Sequence, residues 1–277
     1  MRWGAKLLDW NRTKSIFIIV FAILNLFLYS MYLERSSEAE KFSVLGEGPI
    51  EQKLEDDGIT YSELPENDRQ EPYVHGTVKE FENDEIPGEN LQVNILDGEF
   101  LNVVFNDPVL MPLTEEGDMD LEAFAADNIL NGEEYVLWEV DPGQGRAVFF
   151  QEVNERPLYY SENAKLTVYW NDLQEVTRYE QSMFDDIMPQ ELDQDMIPAL
   201  QAIHTLYQRT VLQPGTHVES AELGYSVFVQ ISEGRKMFLP TWRIVASLDD
   251  GTTEEYFVNA VKDGVIELKQ EQPEDAE

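Results

Sequence analysis

The sequence predicts an α+β protein: one N-terminal transmembrane helix, then an extracytoplasmic domain of two helix-plus-antiparallel-sheet subdomains. Three observations predict it. Residues 15–33, SIFIIVFAILNLFLYSMYL, form an uncharged apolar run. A helical stripe near residue 121 is followed by strand-like segments up to residue 184. A second stripe near residue 200 is followed by further strand-like segments up to residue 268.

The apolar run comes first because it sets the compartment of the rest. As a helix at about 1.5 Å per residue, it reaches roughly 28 Å, close to the hydrocarbon thickness of a bilayer. Residues 1–14 hold Arg2, Lys6, Arg12 and Lys14 against Asp9 alone, whereas residues 34–40 hold Glu34, Glu38 and Glu40 against Arg35. Basic residues stay on the cytoplasmic side, so residues 1–14 form a cytoplasmic tail and the chain after residue 33 lies outside. The run exceeds a signal peptide's 7–15-residue apolar region and ends in Ser30-Met31-Tyr32-Leu33-Glu34-Arg35, with no small-residue cleavage site. The expected location is the cell membrane, single-pass.

Asn25 falls near the middle of this span. Its amide either hydrogen-bonds across to another helix or bonds its own backbone. Pairing is the preferred reading, with Phe17, Phe21 and Leu28 packing around Asn25 as a partner-binding face.

Residues 34–41 are polar and read as a stalk. Residues 42–188 form the first expected subdomain. Glycines and prolines interrupt residues 42–70, which read as short strands and loops. Residues 73–81 read as a strand. Residues 91–96 and 100–105 flank Asp97-Gly98 as a hairpin, ended by Asn106-Asp107-Pro108. Asp118 or Asp120 caps a helix whose Leu121, Phe124, Ala125 and Ile129 share one stripe, with Gly132 as its stop. Strands follow at 135–140, 146–153, 158–160, 166–171 and 176–184. An acidic joint (Asp185, Asp186, Glu191, Asp193, Asp195) leads to the second expected subdomain, residues 189–270. Its helix carries Leu200, Ile203, His204, Tyr207 and Val211 on one stripe, with Pro198 in its first turn. Strands at 217–231, 236–248, 254–260 and 265–268 complete the repeat, with a turn at Asp263-Gly264. Residues 271–277 read as an acidic disordered tail.

Charge excludes several functions. The formal net charge is −36; the first 33 residues contribute +3, leaving about −39 for the rest. Nucleic acid and anionic lipid surfaces both require basic patches, so neither is a partner of this domain. Absence of cysteine excludes disulfides, thiol nucleophiles and Cys-ligated metals.

No catalytic motif emerges. His75, His204 and His217 match no metal-ligand spacing, and His204 falls on an apolar stripe. Gly143-Gln144-Gly145 leads into a strand and has Val148 at the third glycine position of a dinucleotide motif. Gly224-Tyr225-Ser226 lacks the second glycine of a nucleophile elbow. The acidic joint lacks the calcium-loop pattern. The expectation is a non-enzyme without cofactor or metal.

Three stretches resemble one family. Residues 9–21 (DWNRTKSIFIIVF) with 23–28 (ILNLFL), Pro240-Thr241-Trp242-Arg243-Ile244, and Tyr256-Phe257-Val258-Asn259-Ala260 are similar to the YycI proteins of the YycH/YycI family. Met1 to Leu8 extend beyond that family's Asp-Trp start. The resemblance implies a membrane-anchored accessory regulator of the WalK–WalR two-component system of Gram-positive bacteria, which governs cell wall metabolism. It also implies a complex with YycH and the sensor histidine kinase WalK. A homodimer stays open. An alternative is an anchored extracytoplasmic binding or protease-inhibitor domain, since the last helix and strands are loosely similar to PepSY domains.

Overall fold

The computed structural model describes residues 14, 17, 18, 20–25, 29, 50–65, 71–190, 196–262 and 264–267. The chain divides into two compact units, Met1–Lys53 and Leu54–Glu277. In the first unit, residues 14, 17, 18, 20–25 and 29 are helical and exposed. Among the described residues no helix is long and apolar enough to cross a membrane. Residues 15, 16, 19, 26–28 and 30–33 of the expected span, the stalk and the acidic tail lie outside the described residues.

The second unit is mixed α+β, rich in sheet and poor in helix. The helix that runs across the boundary between the two units corrects the expectation for residues 42–70. Helix α1 (Ile50–Asp56) buries only Leu54, so it shows no repeated apolar stripe in the sequence. Thr60–Tyr61 (β1) and Tyr73–Val78 (β2) follow.

Most of the middle of the chain builds one antiparallel sheet, here the local sheet, in the order β3-β4-β9-β8-β6-β5, with β7 on β6. Its strands are β3 (Leu91–Leu96), β4 (Phe100–Leu110), β5 (Tyr135–Asp141), β6 (Arg146–Val153), β7 (Arg156–Pro157), β8 (Lys165–Trp170) and β9 (Glu175–Gln181). The β3–β4 hairpin turns at Asp97 and Gly98, both at positive φ. Pro108 does not end the strand as the sequence suggested. β4 runs on to Leu110, and its pairing with β9 shifts between Val104 and Val109, so the irregularity accommodates a residue with no N–H to donate.

Helix α2 (Leu121–Asn128) lies over this sheet. Asp120 Oδ1 accepts from Ala123 N at 3.0 Å, and Leu121, Phe124, Ala125 and Ile129 are buried with Leu101, Val103, Phe149, Leu166, Val168, Val176 and Tyr179. The left-handed residue after the helix is Asn131, not Gly132. Gly132 is needed for contact: a Cβ there would lie 1.8 Å from the Ala125 carbonyl oxygen.

The remaining strands build the composite sheet. Its centre is the long hairpin β11 (His217–Ser232) and β12 (Arg235–Ser247), turning at Glu233 and Gly234, with Gly234 at positive φ. β12 is shared lengthwise: Arg235–Phe238 pair with β2, and Thr241–Ser247 pair with β13 (Thr253–Asn259). β2 pairs onward with β10 (Phe184–Gln190), β13 with β14 (Gly264–Ile266), and β1 lies parallel to the start of β11. Helix α3 (Ala199–Gln208) packs against β12, β13 and β14.

Two segments depart from the expected strands. Asn154 and Glu155 both have positive φ, a tight turn that places β7 at 156–157, and Tyr160 also lies in the left-handed region. The single strand expected at 176–184 is two, because the chain changes sheets at Ser182 and Met183. The subdomain division expected at 188/189 falls inside β10, which with β2 pairs into the composite sheet.

Candidate functional site

The residues expected to face a partner in the membrane are Phe17, Phe21, Asn25 and Leu28. Phe17 and Phe21 are helical and 71% and 66% exposed. They stand two turns and one turn, respectively, before Asn25 on one helix face. The Asn25 side chain Nδ2 donates to the Phe21 carbonyl at 2.8 Å, so one amide proton is used within the helix. That bond leaves the second amide proton and the acceptor oxygen for other partners. Leu28 lies outside the described residues.

A second constellation was not anticipated: the junction where the local sheet meets the composite sheet. Strand alternation separates two neighbouring residues of the Pro-Thr-Trp-Arg-Ile stretch. Trp242 is buried and donates from Nε1 to the Ile197 carbonyl at 2.9 Å, in the segment leading into α3. Arg243 points the other way, with its guanidinium 4.3 Å from the ring centre of Trp138 on β5. Arg243 also donates from Nη1 to Glu222 at 2.9 Å and from Nε to Glu255 at 3.1 Å; its Nη2 bonds Glu255 as well. Tyr160 donates to Glu255 at 2.9 Å, and Trp138 Nε1 lies 3.3 Å from the Tyr160 hydroxyl. Tyr159, Tyr160, Phe150 and Phe257 close the ring of aromatic contacts, at 5.2 to 5.7 Å between centroids. These contacts offset the left-handed backbone of Tyr160, a conformation costing about 1–3 kcal/mol.

Electrostatics at the junction is balanced. Burial alone would lower the Arg243 pKa, but hydrogen bonding to Glu255, its charge, and Glu222 leave it raised. Burial pushes the Tyr159 phenol up. Beside Arg243 opens a cavity of about 290 Å³ lined by Trp138, Glu152, Arg156, Tyr159, Glu222 and Leu223 among others. Glu152 is held above the ordinary glutamate value by burial, then by the charges of Glu155 and Glu122. The guanidinium is committed to two carboxylates and a ring, so this arrangement holds two sheets together and activates no nucleophile.

A deeper Gln151 reinforces it. Its Oε1 accepts from Phe184 N at 2.8 Å, and its Nε2 donates to the Phe184 carbonyl at 2.9 Å. One fully buried amide thus clamps the first residue of β10 to the local sheet. Gly224 allows the same seam to close: a Cβ there would lie 2.4 Å from the Tyr159 ring.

The histidines do not converge. His204 is buried and stacks near Tyr207 at 6.2 Å; His217 contacts Thr60 at 2.8 Å; His75 sits on β2. Among the described residues no group of three or more His, Asp or Glu side chains is arranged to hold a metal. Asp185 of the acidic joint lies 3.4 Å from Lys79, and residues 191, 193 and 195 lie outside the described residues. The sequence signal for the junction was the Trp-Arg pair in the family-like stretch; Trp138, Tyr160 and Glu255 carried none.

The described body is mixed α+β, rich in sheet. The model of the YycI protein family matches residues 43–261, more than half of the chain. The chain belongs to the YycI family, a family of regulatory proteins rather than enzymes, and membership supports a role in regulating the WalK pathway. No curated protein matches the chain. Among solved structures, it is similar to an uncharacterized protein from Eubacterium rectale ATCC 33656, at 9% identity and a TM-score of 0.42. That match covers 77% of this chain and 92% of the other. It is also similar to the Bacillus megaterium YpeB C-terminal domain, at 15% identity and a TM-score of 0.38, over 69% of this chain and 100% of that one.

Proposed function

We propose that the protein is a non-enzymatic, membrane-anchored accessory regulator of the sensor kinase WalK, acting in a complex with YycH. The observation that carries this reading is the family match over residues 43–261. The uncharged run at 15–33 supplies the anchor, with the N-terminus cytoplasmic and the acidic body outside. In this reading the signal passes through helix packing and contacts of the outer domain. The complex biases the kinase only as far as it binds the two signalling states with different affinity. Phe17, Phe21, Asn25 and Leu28 form the contact within the membrane.

The test is site-specific photocrosslinking in living cells from positions 17, 21, 25 and 28. The expected products are adducts to a histidine kinase or to a second single-pass protein, reduced several-fold by Asn25→Leu, in keeping with about 1 kcal/mol for a buried amide contact. Lipid adducts alone at all four positions overturn helix-mediated regulation and leave the helix a tether.

A further inference from the structure

Residues 54–62 join residues 1–53 to the rest of the body, and they lie on one short stretch of it. Leu54 on α1 and Ile59 are buried, and Ile59 N donates to the Leu54 carbonyl at 2.8 Å. Between them Gly58 turns the chain at a φ of +70°, and Gly215 N donates to the Asp57 carbonyl at 3.0 Å. β1 then runs parallel to β11 over two residues, Thr60 beside His217 and Tyr61 beside Val218. Thr60 N donates to the Thr216 carbonyl at 3.1 Å, and Ser62 N donates to the Val218 carbonyl at 2.9 Å. Side chains repeat the pattern. The His217 ring lies 2.8 Å from the Thr60 hydroxyl through Nδ1 and 3.3 Å from the Ser62 hydroxyl through Nε2. Tyr207 donates to Asp57 at 2.7 Å.

The bonds from Asp57, Thr60 and Ser62 all land between Tyr207 and Val218, from the last turn of α3 to the first residues of β11. Bonds that share one landing stretch are lost together. Thr60 and Ser62 also share one imidazole, and a slip by one residue would turn both hydroxyls away from it. The attachment is light. Its side-chain bonds are exposed, and a two-residue parallel pair is weaker than the antiparallel hairpin of β11 and β12, paired from His217 to Ser232. Exposed bonds and few buried groups mark segments that open without global unfolding. We propose that residues 54–62 form a releasable strap, which opens as one unit while the two sheets stay folded and so sets the reach of the body from the N-terminal segment. Open, nine residues extended at about 3.4 Å each add up to roughly 30 Å to that link. Closed, a pull on the N-terminal segment is delivered to the start of β11, upstream of Glu222 and Tyr225, where the two sheets meet. The strap acts in this way whatever protein the N-terminal segment meets.

Hydrogen exchange on the full-length protein in detergent is the test. The amides of Thr60, Ser62 and Gly215 each donate across the strap. They should show one common protection, at least about tenfold weaker than that of Ile244 and Val258 in the middle of the composite sheet. The chain has no cysteine, so a disulfide lock is unambiguous. Thr60→Cys with His217→Cys joins two residues that are strand partners. Oxidation of that variant should slow Ser62 and Gly215 at least about tenfold, and reduction should restore their exchange. Protection at Thr60, Ser62 and Gly215 equal to that at Ile244 overturns the proposal, because the strap then opens only with the whole body. Fast exchange at Thr60 and Ser62 with Gly215 slow also overturns it, and leaves only fraying of β1. A disulfide that forms without slowing Gly215 overturns it too, since strand and turn then open separately. If the disulfide does not form, exchange in the parent protein decides.

Discussion

The local and composite sheets hold similar side chains and differ in how they are assembled. In the local sheet β5, β6, β8 and β9 follow one another, and β3 and β4 form one hairpin. In the composite sheet Thr60 pairs with His217, and β2 pairs with β10 and β12. Most pairing in the local sheet closes short loops, its β4–β9 pair being the exception, and β11 to β14 form a consecutive meander; the pairings of β1 and β2 close loops spanning most of the body, each with an entropy cost and a slower search. The local sheet is therefore suited to form first and present a template, with Gln151 and Tyr159 as the points where the composite strands attach.

The largest expected effect breaks that template. Phe124 of α2 is fully buried, with Phe105 6.3 Å away edge to face. Phe124→Ala should cost about 3–5 kcal/mol, read as a lower denaturant midpoint. If the local sheet supports the composite one, hydrogen exchange should accelerate at Ile244 and Val258 as well as at Val168 and Tyr179. Acceleration confined to Val168 and Tyr179 would make the sheets independent units.

The same contrast explains what the sequence disclosed. Asp97-Gly98 and the stripe Leu121, Phe124, Ala125 and Ile129 are short-range signals, and both predicted real elements. Leu200, Ile203 and His204 did the same for α3. The sequence did not disclose that β10 leaves β9 to pair with β2, because Ser182 and Met183 break no local pattern. It missed α1, which buries a single residue. The Arg243 junction was half legible: alternation along β12 assigns Trp242 and Arg243 to opposite faces, but Trp138 and Glu255 reach Arg243 only through the pairing of remote strands. Asn25 was visible as a lone amide in an apolar run, and its bond to the Phe21 carbonyl is the own-backbone alternative that stood beside helix pairing in the sequence.

A middle-sized effect sharpens the comparison at the seam. Arg243 is 18% exposed and Glu255 22%. Arg243→Leu strands Glu255 among aromatic rings and removes the cation–π contact with Trp138, and should cost about 2–3 kcal/mol, below the figure for a fully buried pair. Arg243→Leu with Glu255→Leu should recover part of that loss, because the half-buried carboxylate is then gone and Glu222, 53% exposed, is left to solvent. Thermal unfolding of the two variants measures the difference. A double variant no more stable than Arg243→Leu would assign the seam's strength to the aromatic ring rather than to the ion pair.

The smallest effect concerns Glu152, in the cavity beside Arg243. Its carboxyl is raised by burial first, then by Glu155 and Glu122. A carboxyl with a raised folded pKa binds its proton more tightly in the native state than in the unfolded chain. The stability tied to it is fully present below the ordinary glutamate value of 4.5 and is lost as pH rises through the raised value. At neutral pH the native state thus holds an unwelcome carboxylate. Glu152→Gln removes it, so the variant should melt higher than the parent at about pH 7–8, and the two curves should converge as pH falls below 4.5. Melting temperatures across that range decide the sign. A variant that melts lower at neutral pH would mean that Arg156 or Arg243, which line the same cavity, stabilises the carboxylate, making Glu152 a third acid in the seam's ion network.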